Sequence, residues 1–276
     1  MVFDNWRVEY LTPFKPLIYT IAYGKDEIFE TLGLLLQSLH EFGHYGGDIL
    51  IFSDRTLEQL QPIIPPALAA RARVATAPVR DVTDMMAIKY RICDMPELSG
   101  YRPLLYLDAD VICNAPLDRL LGELSRASRV SVPLEMDLKG NHNYYGGVLF
   151  NLDPTAPIRN ERGFSAGLMG IPCTEVARQS FPVILESLYG LTRQQKDRSV
   201  MASIFQDQGV ANYVMHKTDA ADFDIMTRHV TTPVGFDRPL TEIPRLGLAH
   251  FCGGIGDAGR KLPSMRAYLA LLRNTS

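Results

Sequence analysis

The sequence predicts an α/β protein with a mixed, mainly parallel central sheet. Three observations carry that expectation. Short apolar runs at residues 17–22, 48–52, 74–77 and 103–107 alternate with segments whose apolar residues recur at helical spacing. The run Pro103-Leu104-Leu105-Tyr106-Leu107 is apolar without alternation, as expected of a strand covered on both faces. Parallel strands joined through helices take right-handed crossovers, so the first half reads as successive βαβ units.

Residues 17–22 (Leu-Ile-Tyr-Thr-Ile-Ala) are the first expected strand. Tyr23-Gly24-Lys25 is a loop, and Asp26 is placed to cap the next helix. Ile28, Phe29, Leu32, Leu35, Leu36 and Leu39 form its apolar stripe, and Gly43 closes it. Asp48 to Phe52 is the second strand, followed by a short helix near Leu57 that stops before Pro62, Pro65 and Pro66. Val74 to Ala77 is the third. Met85, Met86, Ile88 and Ile92 mark another helix, capped near Asp81 or Thr83, and the strand ending at Asp108 follows.

Beyond Asp110 the pattern loosens. Val130 to Leu134 and Tyr145 to Asn151 read as strands, with a polar loop between them. Thr174 to Tyr189 reads as helical, kinked or split at Pro182. Ser199 caps a helix over residues 200–215, Ala249 to Phe251 is a short strand, and a last helix spans about Pro263 to Arg273. No repeat, linker or low-complexity tract marks a boundary. The expectation is one domain over residues 1–276, with a nucleotide-binding half at 17–112 and an acceptor and donor-sugar half at 113–276.

Composition narrows the function. With 46% hydrophobic and 21% charged residues, the chain has the apolar content for a sizeable core. A formal net charge of −3 leaves no basic footprint for nucleic acid. Cys93, Cys113, Cys173 and Cys252 lack metal-finger or redox spacing and suit a reducing compartment. The first ten residues are charged and carry no signal-peptide core, and no apolar run spans a bilayer. A soluble, cytoplasmic protein without a transmembrane segment is expected; an oligomer is compatible with the sequence.

The chemistry centres on Asp108-Ala109-Asp110. Two carboxylates close together repel one another, and a divalent cation with a preference for oxygen, Mg²⁺ or Mn²⁺, relieves that repulsion. A plain turn after a strand also accounts for two aspartates. An Asp-x-Asp phosphatase is a further alternative, although such enzymes carry the motif after their first strand and continue to Gly-Thr, whereas this chain continues to Val111-Ile112.

Four stretches in order, Tyr106-Leu107-Asp108-Ala109-Asp110-Val111, Tyr144 to Asn151, Asp207-Gln208-Gly209-Val210-Ala211-Asn212 and His250-Phe251-Cys252-Gly253 with Lys261 beyond, resemble glycosyltransferase family 8. This is the glycogenin and bacterial lipopolysaccharide galactosyltransferase group. The resemblance covers Leu17 to about Met265. It implies a GT-A fold and transfer of a hexose from a nucleotide-diphosphate sugar, commonly a UDP-sugar, with Mn²⁺ and retention of configuration. It also implies an acceptor that is a carbohydrate, lipid-linked or a protein. By position, the resemblance implies that Asp108, Ala109 and Asp110 form the metal motif and that His250 completes the metal site. It implies Asp207 and Gln208 near the anomeric carbon and Lys89 or Arg91 on the donor. Ala22 and Tyr23 would hold the base, and Gly253 and Lys261 the diphosphate.

The chain departs from that family at two points. Tyr145 stands where the family has asparagine, and the closing His-x-x-Gly-x-x-Lys-Pro-Trp is stretched to His250, Gly253 and Lys261-Leu262-Pro263 without the tryptophan. A nucleotide-sugar-binding protein without transfer activity is therefore the alternative within the same family. Read as chemistry, a neutral carboxamide at Gln208 and a carboxylate at Asp207 suit an electron-poor anomeric carbon. Gly253, Gly254 and Gly256 would let the backbone approach a diphosphate.

Overall fold

A computed structural model describes residues 14–138, 144–193, 207–232, 234–252 and 258–275. Strands β1 (Leu17–Ala22), β2 (Asp48–Ser53), β3 (Ala72–Ala75) and β4 (Leu104–Leu107) are mutually parallel in the order β3-β2-β1-β4. β5 (Val111–Cys113), β6 (Val130–Ser131), β7 (Leu134–Asp137), β8 (Arg162–Phe164), β9 (Leu168–Ile171), β10 (Ala221–Asp222), β11 (Val230–Thr231) and β12 (Leu248–His250) follow. The main sheet has seven strands, ordered β10-β6-β9-β4-β1-β2-β3, with β9 antiparallel to β4 and β6. Two small sheets, β11-β12-β5 and β7-β8, stand beside it.

Alternation along β1 explains its layers. Leu17 and Tyr19 face one core with Leu50, Phe52, Phe181, Ile184 and Val210. Ile18 faces the other, where Leu32, Leu35, Leu36 and Leu39 of the helix Asp26–Glu41 are fully buried. Burial on both faces is why the strand runs carry no polar alternation.

Several boundaries differ from the sequence pattern. Lys25, not Asp26, is the N-cap of the first long helix; Asp26 is its first residue and its carboxylate pairs with Arg55. β3 lies two residues earlier than expected. Val130 to Leu134 is divided between β6 and β7, so β7 occupies the start of the expected polar loop. The helix Val82–Ala87, capped by the Asp81 side chain, tightens to a 3₁₀ helix over Ile88–Asp94. Pro182 does split its segment, into Thr174–Ala177 and Phe181–Arg193. β12 begins one residue before the expected strand. The last helix spans Ala258–Asn274, so Pro263 lies inside it rather than at its start.

The largest correction is Tyr145 to Asn151, which is not a strand. Residues Gly147–Leu152 form a helix, entered through Gly146 at φ +78°. A Cβ on Gly146 would stand 2.2 Å from the Gly209 carbonyl oxygen, so a glycine with left-handed backbone is required there. β8 and β9 were not legible at all: Gly163, Gly167 and Gly170 break their apolar runs. Gly170 leaves the space that Leu124 fills, with Cδ2 only 2.2 Å from where a Cβ would be. The expected cap Ser199 and the residues 200–206 lie outside the described residues; the described helix there is Asp207–Thr218.

Candidate active site

The first strand and β4 both end where parallel sheets open a crevice for ligands. Leaving β4, the chain makes the turn Asp108-Ala109-Asp110 and enters β5. Two backbone ladders hold this turn. β5 pairs antiparallel with β12, placing His250 opposite Val111, and Phe251 N–H donates to Asp110 C=O at 2.9 Å. Asp108 N–H donates to Gly167 C=O at 2.8 Å, tying the turn to the β8–β9 connection.

These ladders bring one oxygen of Asp108, one of Asp110 and a ring nitrogen of His250 within 4.8 Å of one another. The aspartates therefore occupy a turn, as the plain reading of the triplet expects, yet they converge on a histidine 140 residues further along, at position 250. Asp110 Oδ1 and His250 Nε2 are buried and 3.2 Å apart, an ion pair when the imidazole is charged, and neither atom has another hydrogen-bond partner among the described residues. A Cβ on Gly167 would stand 2.6 Å from His250 Cε1 and 2.7 Å from Asp108 Oδ2, so the space between them exists because residue 167 has no side chain. Two carboxylates and an imidazole that converge in a buried space are a donor set that fits a divalent cation.

Charge around the turn is finely divided. Burial raises Asp108 above the usual carboxylate range, against the pull of Lys89 and with the repulsion of Asp110. Burial also works on Asp110, but His250 and Lys261 outweigh it and hold it below that range. Lys261 Nζ is 2.5 Å from Asp110 Oδ2. Burial opposes a charged His250, and Cys252 and Asp110 together raise its pKa well above the usual imidazole value. The hydroxyl of Tyr106, two residues before Asp108 on the same face of β4, donates to Asp108 Oδ1.

Lys89 and Asp207 meet across the cleft. Their ion pair is 2.9 Å long, with both side chains over nine-tenths buried. Lys89 Nζ also donates to Ala166 C=O at 3.2 Å, and Tyr90 Oη donates to Asp207 Oδ2 at 2.9 Å. Burial disfavours the Lys89 charge, but Asp207, Asp108 and Asp110 more than offset it, and its pKa stands above the usual lysine value. Gln208, one step along the helix, accepts from Ala166 N–H at 3.1 Å through Oε1.

The cleft has two lobes that share Lys89, Asp108, Asp110, Asp207 and Lys261. One, of about 430 Å³, is walled by Ile21, Tyr23, Ile28, Met85, Met86 and Ala109. The other, of about 550 Å³, is walled by Glu135, Tyr144, Tyr145, Gln208, Phe236 and His250. Tyr23 is held rigidly, its hydroxyl donating to Ala77 C=O at 3.2 Å and accepting from Ala77 N–H at 3.0 Å.

Of the residues singled out in the sequence, Tyr23, Lys89, Asp108, Ala109, Asp110, Asp207, Gln208, His250 and Lys261 all border this cleft. Two do not. Arg91 is exposed and donates to Tyr189 Oη at 2.8 Å, because the 3₁₀ turn that buries Lys89 and Tyr90 sends residue 91 outward. Ala22 is fully buried against the helix side of the sheet, since it alternates with Ile21 and Tyr23. Gly253, Gly254 and Gly256 lie outside the described residues. Tyr90, Tyr106, Glu135, Gly167 and Thr232 were missed. Only Tyr106 carried a local signal, its period-two spacing from Asp108.

Sheet order and cleft together define a glycosyltransferase fold of the GT-A type. No protein-family model matches the chain, and no curated protein matches it. Among solved structures it is similar to the galactosyltransferase LgtC in complex with donor and acceptor sugar analogues, with TM-score 0.60 and 12% identity over 94% of this chain and 95% of that one. Mouse xyloside xylosyltransferase 1 follows at TM-score 0.55 and 14% identity, over 88% of this chain and 99% of that one. The bifunctional glycosyltransferase WbbM gives TM-score 0.59 and 12% identity, with 95% of this chain matching 50% of that protein. At such identities the likeness establishes the fold.

Proposed function

We propose that the chain transfers a hexose from a nucleotide-diphosphate sugar, a UDP-sugar, to a hydroxyl acceptor with retention of configuration, in the manner of glycosyltransferase family 8. The observation that carries this reading is the meeting of Asp108, Asp110 and His250 in a cleft that Asp207 and Gln208 also line. Asp108, Asp110 and His250 would hold the cation, Mn²⁺ or Mg²⁺, which when bound neutralises charge on a departing diphosphate.

The protein's own groups supply the rest. In the first lobe the Tyr23 ring, fixed through Ala77, is a stacking platform for the base, and the half of the chain from 17 to 112 binds the nucleotide. Lys261 exchanges Asp110 for a diphosphate oxygen when the donor arrives, which places a point charge on the leaving group. Asp207 spends Oδ2 on Lys89 and Tyr90, which leaves Oδ1 to accept from a donor hydroxyl. Gln208, anchored to Ala166 N–H, presents a neutral dipole toward the anomeric carbon, where positive charge grows as the bond to phosphate breaks. The second lobe, walled mainly by residues of the 113–276 half with Lys89, Asp108 and Asp110, receives the acceptor.

The test is UDP release from a panel of UDP-sugars with and without Mn²⁺, beside calorimetry of Mn²⁺ and UDP binding. The expected result is Mn²⁺-dependent release with at least one donor, and loss of Mn²⁺-dependent UDP binding in a folded Asp110→Asn variant. His250→Ala should weaken binding less, since two carboxylates remain. Unchanged Mn²⁺–UDP affinity in Asp110→Asn removes the assignment. Binding of UDP without release from any donor would identify a nucleotide-sugar-binding protein instead.

A further inference from the structure

On the Nδ1 side of His250 lies a part-buried cluster to which the transfer reading gives no chemical role. Glu135 is nine-tenths buried, yet it belongs to no ion pair among the described residues. Three donors converge on its carboxylate: Tyr145 Oη at 2.8 Å on Oε2, Thr232 Oγ1 at 2.7 Å and Cys252 Sγ at 3.3 Å on Oε1. Thr232 Oγ1 also lies 3.2 Å from His250 Nδ1. Glu135 comes from β7, Tyr145 from the turn before the helix Gly147–Leu152, and Thr232 and Cys252 from just beyond the ends of β11 and β12.

Hydrogen-bond capacity decides what this cluster does. A hydroxyl has one proton and two lone pairs, whereas a carboxylate only accepts. Thr232 gives its proton to Glu135, so toward His250 it can only accept, and Nδ1 must be the nitrogen that carries hydrogen. Ser165 Oγ, 3.4 Å from Nδ1, is already an acceptor for Gly167 N–H and suits either tautomer, so it does not reverse the choice. With hydrogen fixed on Nδ1, Nε2 is the nitrogen left to face Asp110 Oδ1 and to serve as the cation ligand.

We infer that Glu135 and Thr232 are positioning residues that hold His250 in the tautomer whose Nε2 binds a divalent cation with Asp108 and Asp110. The inference rests on the cation site proposed above and adds the device that orients its nitrogen ligand. Groups behind a metal-bound histidine fix ring orientation and tautomer in this way, and losing one typically weakens metal affinity by about 10–100-fold. Glu135→Gln is the sharper change. Its amide can donate to Thr232, which frees the threonine proton to point at Nδ1 and moves hydrogen to Nε2, the wrong side.

The experiment measures Mn²⁺ affinity of the full chain from the free-ion electron paramagnetic resonance signal, without donor sugar, for the parent, Asp110→Asn, Glu135→Gln, Thr232→Val and Thr232→Ser. Glu135→Gln and Thr232→Val should bind about 10–100-fold more weakly, and Thr232→Ser should stay near the parent. A second measurement is read on the parent itself. Long-range ¹H–¹⁵N spectra of the parent with Mg²⁺ should show hydrogen on Nδ1 of His250, assigned through His250→Gln. Hydrogen on Nε2, or folded Glu135→Gln and Thr232→Val both binding Mn²⁺ like the parent while Asp110→Asn loses it, overturns this inference and leaves the cation site standing. A parent that takes up no Mn²⁺ removes the cation site, and this inference falls with it.

Discussion

Asp207 and Gln208 are neighbours in sequence, but successive positions on a helix turn by about 100°, and the structure gives the two different partners. Asp207 is locked to Lys89 and Tyr90, while Gln208 is pinned to Ala166 N–H beside the carboxylates of the turn. A dipole that meets positive charge only as the glycosidic phosphate bond breaks contributes to rate and not to ground-state binding. Gln208→Ala is therefore expected to lower turnover on the order of 10²–10³-fold with donor affinity nearly unchanged. Steady-state UDP release beside a donor titration checks it; normal turnover would make Gln208 a support for the loop at Ala166 and nothing more. Lys89 poses the opposite case. Lys89→Met leaves Asp207 buried without its cation, which costs on the order of 3–5 kcal/mol when one member of a buried pair is removed. Urea unfolding should show that loss, and Lys89→Met with Asp207→Asn should recover most of it.

At the scale of elements, the helix Gly147–Leu152 shows how packing overrides a local pattern. Val148-Leu149-Phe150 is β-like in composition, but Gly146 turns left-handed and lies against the backbone of Gly209, which directs the chain into a helix. Phe150 then meets Tyr213 edge-to-face at 5.4 Å, and Tyr144 C=O stands 3.5 Å from Gln208 Nε2. Gly146→Ala combines a left-handed backbone with a clash against a carbonyl, so a destabilisation on the order of 3 kcal/mol is expected. Because the same contact abuts Gln208, turnover should fall together with the midpoint of thermal unfolding. An unaltered midpoint would mean that the turn relaxes away from Gly209 at little cost.

Across the whole molecule, the seven-stranded sheet draws β1 to β4 from the first half and β6, β9 and β10 from the second, so each half completes the other's core. His216 belongs to that shared interior. It is fully buried, takes Arg159 N–H on Nδ1 at 2.9 Å, and lies edge-on to Phe150. Burial, assisted by Arg159, pushes its pKa down to about 4. The folded ring stays neutral while the unfolded one takes up a proton below about pH 6.5, so folding stability is complete above that value. It is lost as the pH falls toward about 4, by an amount on the order of 3 kcal/mol. Denaturant unfolding at pH 7.5 and pH 4.5 should show this slope in the parent and a shallower one in His216→Gln. Equal slopes would assign the acid sensitivity to other groups. Among the described residues no helix is long and apolar enough to cross a membrane.

By itself the sequence determined the order of β1 to β4 and the bounds of β1, β2 and β4 to within a residue, with β3 displaced by two, because both-face burial writes itself as unbroken apolar runs separated by helical stripes. It also singled out Asp108, Asp110, Asp207, Gln208 and His250, since each stands beside a strand end or within a recognisable order of motifs. The tertiary structure decided the rest. β9 sits centrally between β4 and β6, yet Gly170 within it and Gly167 just before it leave no local signature; they make room for Leu124 and for His250 and Asp108, which come from elsewhere in the chain. That Lys89 and not Arg91 faces the cleft follows from a 3₁₀ winding that buries residues 89 and 90 and exposes 91. The hydrogen-bonded group of Glu135, Tyr145, Thr232 and Cys252 could not be read at all, because its members lie up to 117 residues apart. Periodicity reports which face of one element is buried; which polar groups meet inside is settled by how the elements pack, and a single sequence carries no local trace of it.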